Sequence, residues 1–348
     1  MIRTSRRPNL LRRALESVKA QTFSEWEILL VNDGGIASIV TDTVQTVFGQ
    51  DKRILQIDNV NVEGRWPAAN AGVKAARGDF ITLLDDDDTW QPEFLARTSS
   101  FLNENSHASY IAVAAERVEI HERILPDGTF EFISKSPSPA PLPRVEVSLA
   151  DLIAVRNVAV HSLLVRREAL SLTGGYDESL PVAADWLHNL RLASLGRVGV
   201  ISEPLANYHH RVGLSESPDA NSGPSGLHSV YVPLIKDREL NRSLADEPWL
   251  LGLLLWQKDR FDELSHKIHV SFGEFSQHTS RTTTSQVGEM NAVLLEKISA
   301  LFEQLNRIES RLNGVSHDIA ILKVAQRVWD FGMPFRRLIA RVRRRKLN

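Results

Sequence analysis

Four consecutive carboxylates, Asp85-Asp86-Asp87-Asp88, follow directly on the apolar run Phe80-Ile81-Thr82-Leu83-Leu84. A short apolar run of this kind reads as a buried strand, so the acids stand where a strand leaves its sheet. Side chains alternate along extended backbone, which places Asp85 and Asp87 on one side and Asp86 and Asp88 on the other. Two carboxylates on one side suit a hard divalent cation such as Mg²⁺ or Mn²⁺. Without a cation the four acids repel one another, and some would have raised pKa values. A solvated acidic turn is the bland alternative, but open α/β sheets place ligands at strand ends. A calcium loop of the EF-hand type is excluded, because Trp90 stands where the glycine is needed and Ala96 where the closing glutamate belongs.

Three further residues could do chemistry. Asp33 ends the run Ile28-Leu29-Leu30-Val31-Asn32 and stands at a second strand end. Asp185 opens a helical stretch, where an aspartate ordinarily caps the helix or partners its dipole. His210, in Tyr208-His209-His210-Arg211, has the chemistry of a metal ligand, although a lone histidine is more often structural.

The elements that must position these residues follow from periodicity. Leu10 to Ala20 is helical with Pro8 near its start, Glu27 to Val31 is a strand, and Ala37 to Phe48 is a helix. Arg53 to Ile57 is a strand, Ala68 to Ala76 a helix, and Phe80 to Leu84 the strand before the acids. This order implies an α/β fold with a mostly parallel sheet covered by helices on both faces. Asp33 and Asp85 to Asp88 then share the carboxyl edge of one sheet. Further along, strands are expected over Ser109 to Ile120, Glu122 to Ile133 and Val158 to Val165, then a Gly174-Gly175-Tyr176-Asp177 turn and a helix over Ala183 to Leu195.

With these residues placed, the chain resembles family 2 glycosyltransferases of the GT-A fold. The resemblance covers roughly residues 1 to 215. It rests on the order of Arg3-Thr4-Ser5-Arg6-Arg7-Pro8, Gln21-Thr22-Phe23, Val31-Asn32-Asp33-Gly34, Gly78-Asp79-Phe80, Leu84 to Asp88, and Gly174 to Glu178 leading to Asp185-Trp186. It implies an enzyme that moves a sugar from a nucleotide-sugar donor to a hydroxyl acceptor with inversion. By that resemblance Thr4, Asp33 and Asp86 bind the nucleotide, with Asp33 at the base. Asp85, Asp87 and His210 hold Mn²⁺ or Mg²⁺, which neutralises charge on the leaving diphosphate. Asp185 takes the position of the general base. Three departures stand out: only Met1-Ile2 remains of the apolar strand expected before Thr4, Arg6 fills a position where an aromatic is common, and Ala184 stands where an acid is frequent. A central first strand needs more apolar residues than Met1-Ile2, so the natural product is expected to begin upstream of Met1. The rival readings are a non-catalytic binding subunit with the same fold and a nucleotidyltransferase.

The 348 residues include no cysteine, which excludes disulfides and thiolate metal sites and fits a reducing cytoplasm. Seven basic residues and no acids lie between Arg336 and Lys346, and removing them from the net charge of −2 leaves −9. An acidic body argues against nucleic acid as its ligand, while the tail points to an anionic partner such as a membrane surface. The expected domains are a GT-A domain at 1–217, a helical extension at 227–272, a polar linker at 273–288, a coiled coil at 289–325 and a basic amphipathic tail at 326–348. Leu294, Ile298, Leu301, Leu305, Ile308, Leu312, Val315, Ile319 and Leu322 form the heptad seam, which implies a homo-oligomer. A coiled coil and a basic tail on such an enzyme suit a cytoplasmic protein held on the inner face of a membrane. Its acceptor would then be a glycan or lipid-linked sugar of surface polysaccharide or glycolipid synthesis.

Overall fold

The computed structural model describes residues 1–246, apart from 60, 107–108, 140, 144, 154–156, 214–218 and 220–225, together with 266–267 and 270. Met1–Asp246 form one compact unit and Glu247–Asn348 a second. The expected linker, coiled coil and basic tail lie outside the described residues, as does most of the helical extension beyond Asp246.

The first unit opens with the predicted alternation: β1 (Ile2–Thr4), α1 (Pro8–Lys19), β2 (Ile28–Asp33), α2 (Ala37–Phe48), β3 (Ile54–Asn59) and α3 (Arg65–Ala75). Pro8 starts α1 where its missing N–H costs nothing, and Leu10, Leu11, Ala14, Leu15 and Val18 bury one face of it. Every residue of β2 is buried, as its unbroken apolar run requires of a parallel strand covered on both faces. Strands β3, β2, β1 and β4b, the last being Leu84–Asp85, form a four-stranded sheet in that order, with all pairs parallel.

The expected single strand at Phe80 to Leu84 is in fact two. Its first half, β4a (Phe80–Thr82), pairs antiparallel in a second sheet, and after Leu83 the chain crosses to pair β4b with β1. Beyond Asp85 the backbone turns through Asp86 to Asp88 into β5 (Thr89–Trp90), so the expected side-to-side alternation of the four acids stops at Asp85.

The remaining elements are α4 (Phe94–Glu104), β6 (Tyr110–Ile124), β7 (Phe130–Pro137), β8 (Glu146–Val147), α5 (Leu149–Ile153), β9 (Leu163–Arg166), α6 (Arg167–Thr173), α7 (Ala184–Leu195), β10 (Arg197–Arg211) and α8 (Leu227–Asp246). The second sheet runs β4a-β9-β6-β10-β5, with β7 on β6 and β8 on β10, and only β6 and β10 pair parallel. The strand expected from Val158 begins only at Leu163, because a 3-10 turn at Val160–Ser162 comes first. That turn is held out of the ladder by Trp90, whose indole N–H donates to the His161 carbonyl at 2.6 Å. Helix α8 belongs to the same unit: Ile235 is buried with Tyr176 and Trp186, and Arg238 pairs with Asp177 at 2.7 Å. Among the described residues, no helix is long and apolar enough to cross a membrane.

Candidate active site

The acidic turn sits where the two sheets meet, and arginines surround it. Arg3, in the middle of β1, grips Asp85 through two nitrogens at 2.6 and 3.2 Å. Arg7, just ahead of α1, pairs with Asp86 and reaches Asp87 at 3.2 Å. Arg211, at the end of β10, donates to Asp87 at 2.6 Å. Asp88 accepts from the His161 imidazole at 2.9 Å and from the His209 backbone N–H at 3.1 Å. The repulsion expected among four acids is therefore answered by the chain's own cations.

Their pKa values separate accordingly. Burial alone would push Asp85 up, but the Arg3 guanidinium outweighs it and brings the carboxyl down to about 2. Asp86 has no exposed surface, and burial pushes it up to about 7 despite Arg7. It also accepts from the Thr4 hydroxyl at 2.6 Å, so Thr4 and Asp86 bind each other inside the fold.

Oxygens of Asp85, Asp87 and Asp88 all lie within 4.8 Å of one another. Three hard carboxylate donors this close match what Mg²⁺ or Mn²⁺ requires. Asp88 joins this set because the chain turns, which the alternation rule does not foresee.

Asp33 is turned the other way. Its carboxylate accepts from the backbone N–H groups of Glu63 and Gly64, each at 2.9 Å, and from the Asn59 amide at 3.2 Å. Helix α3 begins after Gly64, at φ +104°, and no side chain of its own caps it. From the end of β2, Asp33 pins the two residues that lead into α3 without bonding the helix's own first turn.

A cavity of about 670 Å³ opens beside the turn, and its walls include Arg3, Trp66, Asp85, Asp185, Tyr208 and His210. The structure thus brings Asp85, Asp185 and His210 to one cavity. Thr4, Asp33 and Asp86 are buried, with exposures of 4%, 6% and 0%. Asp185 stands in the first turn of α7, behind Ala183 at φ +62°. A left-handed alanine is strained, and such strain gathers at functional sites. One Asp185 oxygen accepts from the Asn157 amide at 2.8 Å, and Asn157 accepts in turn from Asn189 at 2.8 Å. Ala184, where an acid was noted as missing, is fully buried in the core cluster with Trp66 and Trp186. An acid there would lose hydration with no cavity to face.

Strand β10 sorts the adjacent histidines. Alternation turns Asn207, His209 and Arg211 inward, with exposures of 7%, 6% and 5%, and leaves Tyr208 and His210 on the cavity. His210 hydrogen-bonds Glu119 on the neighbouring strand β6 and stacks on His121, the ring centroids 4.8 Å apart.

Residues 2–171 match the family model described as Glycosyl transferase family 2. This segment is a family 2 glycosyl transferase domain. The chain is 28% identical over 215 residues to the O-antigen biosynthesis protein RfbC of Myxococcus xanthus, covering 61% of this chain and 16% of that protein. It is 25% identical over 250 residues to an uncharacterized glycosyltransferase of Rickettsia felis, covering 70% of this chain and 39% of the other. The chain therefore spans well under half the length of these curated relatives. Staphylococcus aureus TarS 1-349, in complex with UDP-GlcNAc, is similar at a TM-score of 0.49 and 18% identity, over 67% of this chain and 64% of that one.

Arg3, Arg7, Asp85 to Asp88 and His161 fall within the matched segment of the glycosyl transferase domain, whereas Asp185, His209, His210 and Arg211 lie beyond it. Sequence reasoning missed Arg3, Arg7, Arg211, Asn157 and His161. Arg3 and Arg7 carried a readable signal, since two basic residues flank Thr4 at a strand end.

Proposed function

We propose that this domain transfers a sugar from a nucleoside diphosphate sugar to a hydroxyl acceptor, with a divalent cation and with inversion at the anomeric carbon. The observation that supports this most is the single cavity walled by both Asp85, at the acidic turn, and Asp185. Asp85, Asp87 and Asp88 would hold Mn²⁺ or Mg²⁺, and the bound ion would offset charge on the departing diphosphate. This reading leaves His210 with Glu119 rather than in the metal set. Thr4 and Asp33 keep a nucleotide role as proposals, at the carboxyl ends of β1 and β2. Asp86, enclosed by Thr4 and Arg7, acts by fixing those two.

Asp185 receives the acceptor's proton. Asn157 occupies one of its oxygens and holds the carboxylate still, leaving the other for the hydroxyl. As that proton leaves, the acceptor oxygen bonds the anomeric carbon from one side. The bond to the diphosphate oxygen breaks on the other side, and its electron pair stays with the diphosphate. The relatives named for O-antigen and glycosyl transfer support an acceptor in surface polysaccharide or glycolipid synthesis.

Two measurements test this. A thermal-shift series with UDP, GDP, dTDP and CMP, with and without Mn²⁺, should show one nucleotide stabilising the protein only when metal is present. Asp185→Asn should keep that shift while transfer falls by about 10²–10⁴. Equal donor turnover in the variant and the wild type would instead favour a non-catalytic binding subunit. Pyrophosphate release from a nucleoside triphosphate would favour a nucleotidyltransferase.

A further inference from the structure

Behind the acidic turn, away from the cavity, lies a buried group of ions that the proposed reaction does not use. Glu122, on β6, is 3% exposed. Arg13, on α1, donates to both of its carboxylate oxygens, at 2.6 and 2.7 Å, and the His209 ring nitrogen Nδ1 lies 2.9 Å from one of them. Burial would raise the Glu122 pKa, but the bonds from His209 and Arg13 outweigh it and hold the carboxyl below its ordinary value.

Both partners continue to the turn. The other Arg13 nitrogen donates to the Asp87 carbonyl at 2.8 Å. The His209 backbone N–H donates to Asp88, and its Nε2 lies 2.9 Å from the Thr89 hydroxyl. The Asn207 amide donates to that same hydroxyl at 2.9 Å. Asp87, Asp88 and Thr89 are thus each tethered to α1 or β10, and Glu122 joins the two.

We propose that Glu122 is a positioning residue for the acidic turn: it holds Arg13 and His209 so that the Asp87 and Asp88 carboxylates are presented in fixed register with Asp85. Carboxylates that must close on a small cation need a backbone that does not drift, and partners one step removed from metal ligands tune affinity accordingly. An apolar residue at 122 would fill space but hold neither Arg13 nor His209. The assignment rests on the proposed metal reading for its functional consequence, and on geometry alone for the tethering itself.

The test uses the full chain and two conservative variants. Glu122→Gln keeps size and one acceptor but removes the charge. Arg13→Lys keeps a charge beside Glu122, yet a single ammonium cannot also reach the Asp87 carbonyl in the geometry of a guanidinium fork. Mn²⁺ is titrated in the presence of whichever of UDP or GDP stabilises the wild type, and amide exchange is followed by mass spectrometry. Both variants should bind Mn²⁺ about 10- to 100-fold more weakly. Exchange over residues 85–90 should speed up about tenfold, the worth of one hydrogen bond net of water, while distant helices exchange as before. Unchanged Mn²⁺ affinity and unchanged local exchange in the folded variants overturn the proposal. So does a loosening spread evenly over the whole domain, which would mean a purely structural ion group. If the wild type binds no Mn²⁺ with any nucleotide, the metal reading fails separately, and the exchange comparison still decides the tethering.

Discussion

Helix α7 carries a buried histidine one turn after Asp185, and it should make an acid-sensitive contribution to the domain's stability. His188 is 1% exposed and packs against the Tyr176 ring at 4.6 Å. Burial brings its pKa down to about 4, with the Gly175 carbonyl only partly offsetting this. Its Nε2 has no hydrogen-bond partner among the described residues, so a proton there would be buried without an acceptor. An unfolded histidine titrates near 6.5. Below that value the unfolded chain binds the extra proton and the folded chain does not, so acid favours unfolding. The contribution is complete above about pH 6.5 and is lost as pH falls toward about 4. Between pH 7.5 and 4.5 it amounts to about 2.5 kcal/mol. Asp86 works in the opposite sense over the same range, because its raised pKa lets the folded state keep a proton the unfolded state has lost. The comparison must therefore be between proteins. Urea midpoints at the two pH values, converted with the measured slope, should show His188→Leu losing about 2.5 kcal/mol less than the wild type on acidification. An identical loss in both would refute the argument and mean that His188 is protonated in the fold or hydrated.

Two other substitutions follow from the partners seen around the turn. Asp87→Ala takes a carboxylate from Arg211, whose side chain is fully buried, and from Arg7, so it should destabilise the fold by about 3–5 kcal/mol rather than relieve repulsion; chemical denaturation measures this. Asp33→Ala removes the carboxylate that holds the Glu63 and Gly64 N–H groups ahead of α3 and should cost about 1–2 kcal/mol, the net worth of hydrogen bonds to a charged acceptor, seen as a lower melting temperature without nucleotide.

The parallel sheet, α1 and the place of the acidic cluster were legible because local patterns determine them. An apolar run of strand length followed by aspartates has few other readings, and Leu10 to Val18 carries an unmistakable helical face. What stayed hidden depends on pairings across the chain. Nothing near Asp85 says that Arg3 will lie against it, since strand order brings them together across 82 positions. The break at Leu83 was invisible because either half alone looks like the end of one apolar strand. Resemblance alone favoured His210 over His209, and only the face that β10 turns to the cavity separates them physically. The strand-end position of Asp33 was legible, but its partners at Glu63 and Gly64 come from a loop with no local signature.

The crossing at Leu83 has a mechanical meaning. Asp85 moves with the four-stranded sheet, through its pairing with β1, whereas Thr89 moves with the other, through its pairing with β10. The four carboxylates therefore span a joint, and the gap between Asp85 and Asp88 measures how the two halves are set against each other. Anything that draws those oxygens together acts as a rivet through both plates. One buried cluster packs Ile2, Leu30 and Leu84 of the first plate with Trp90, Ala115 and Leu205 of the second, so a slip between the plates would strain that shared core as it changed the spacing of the charges.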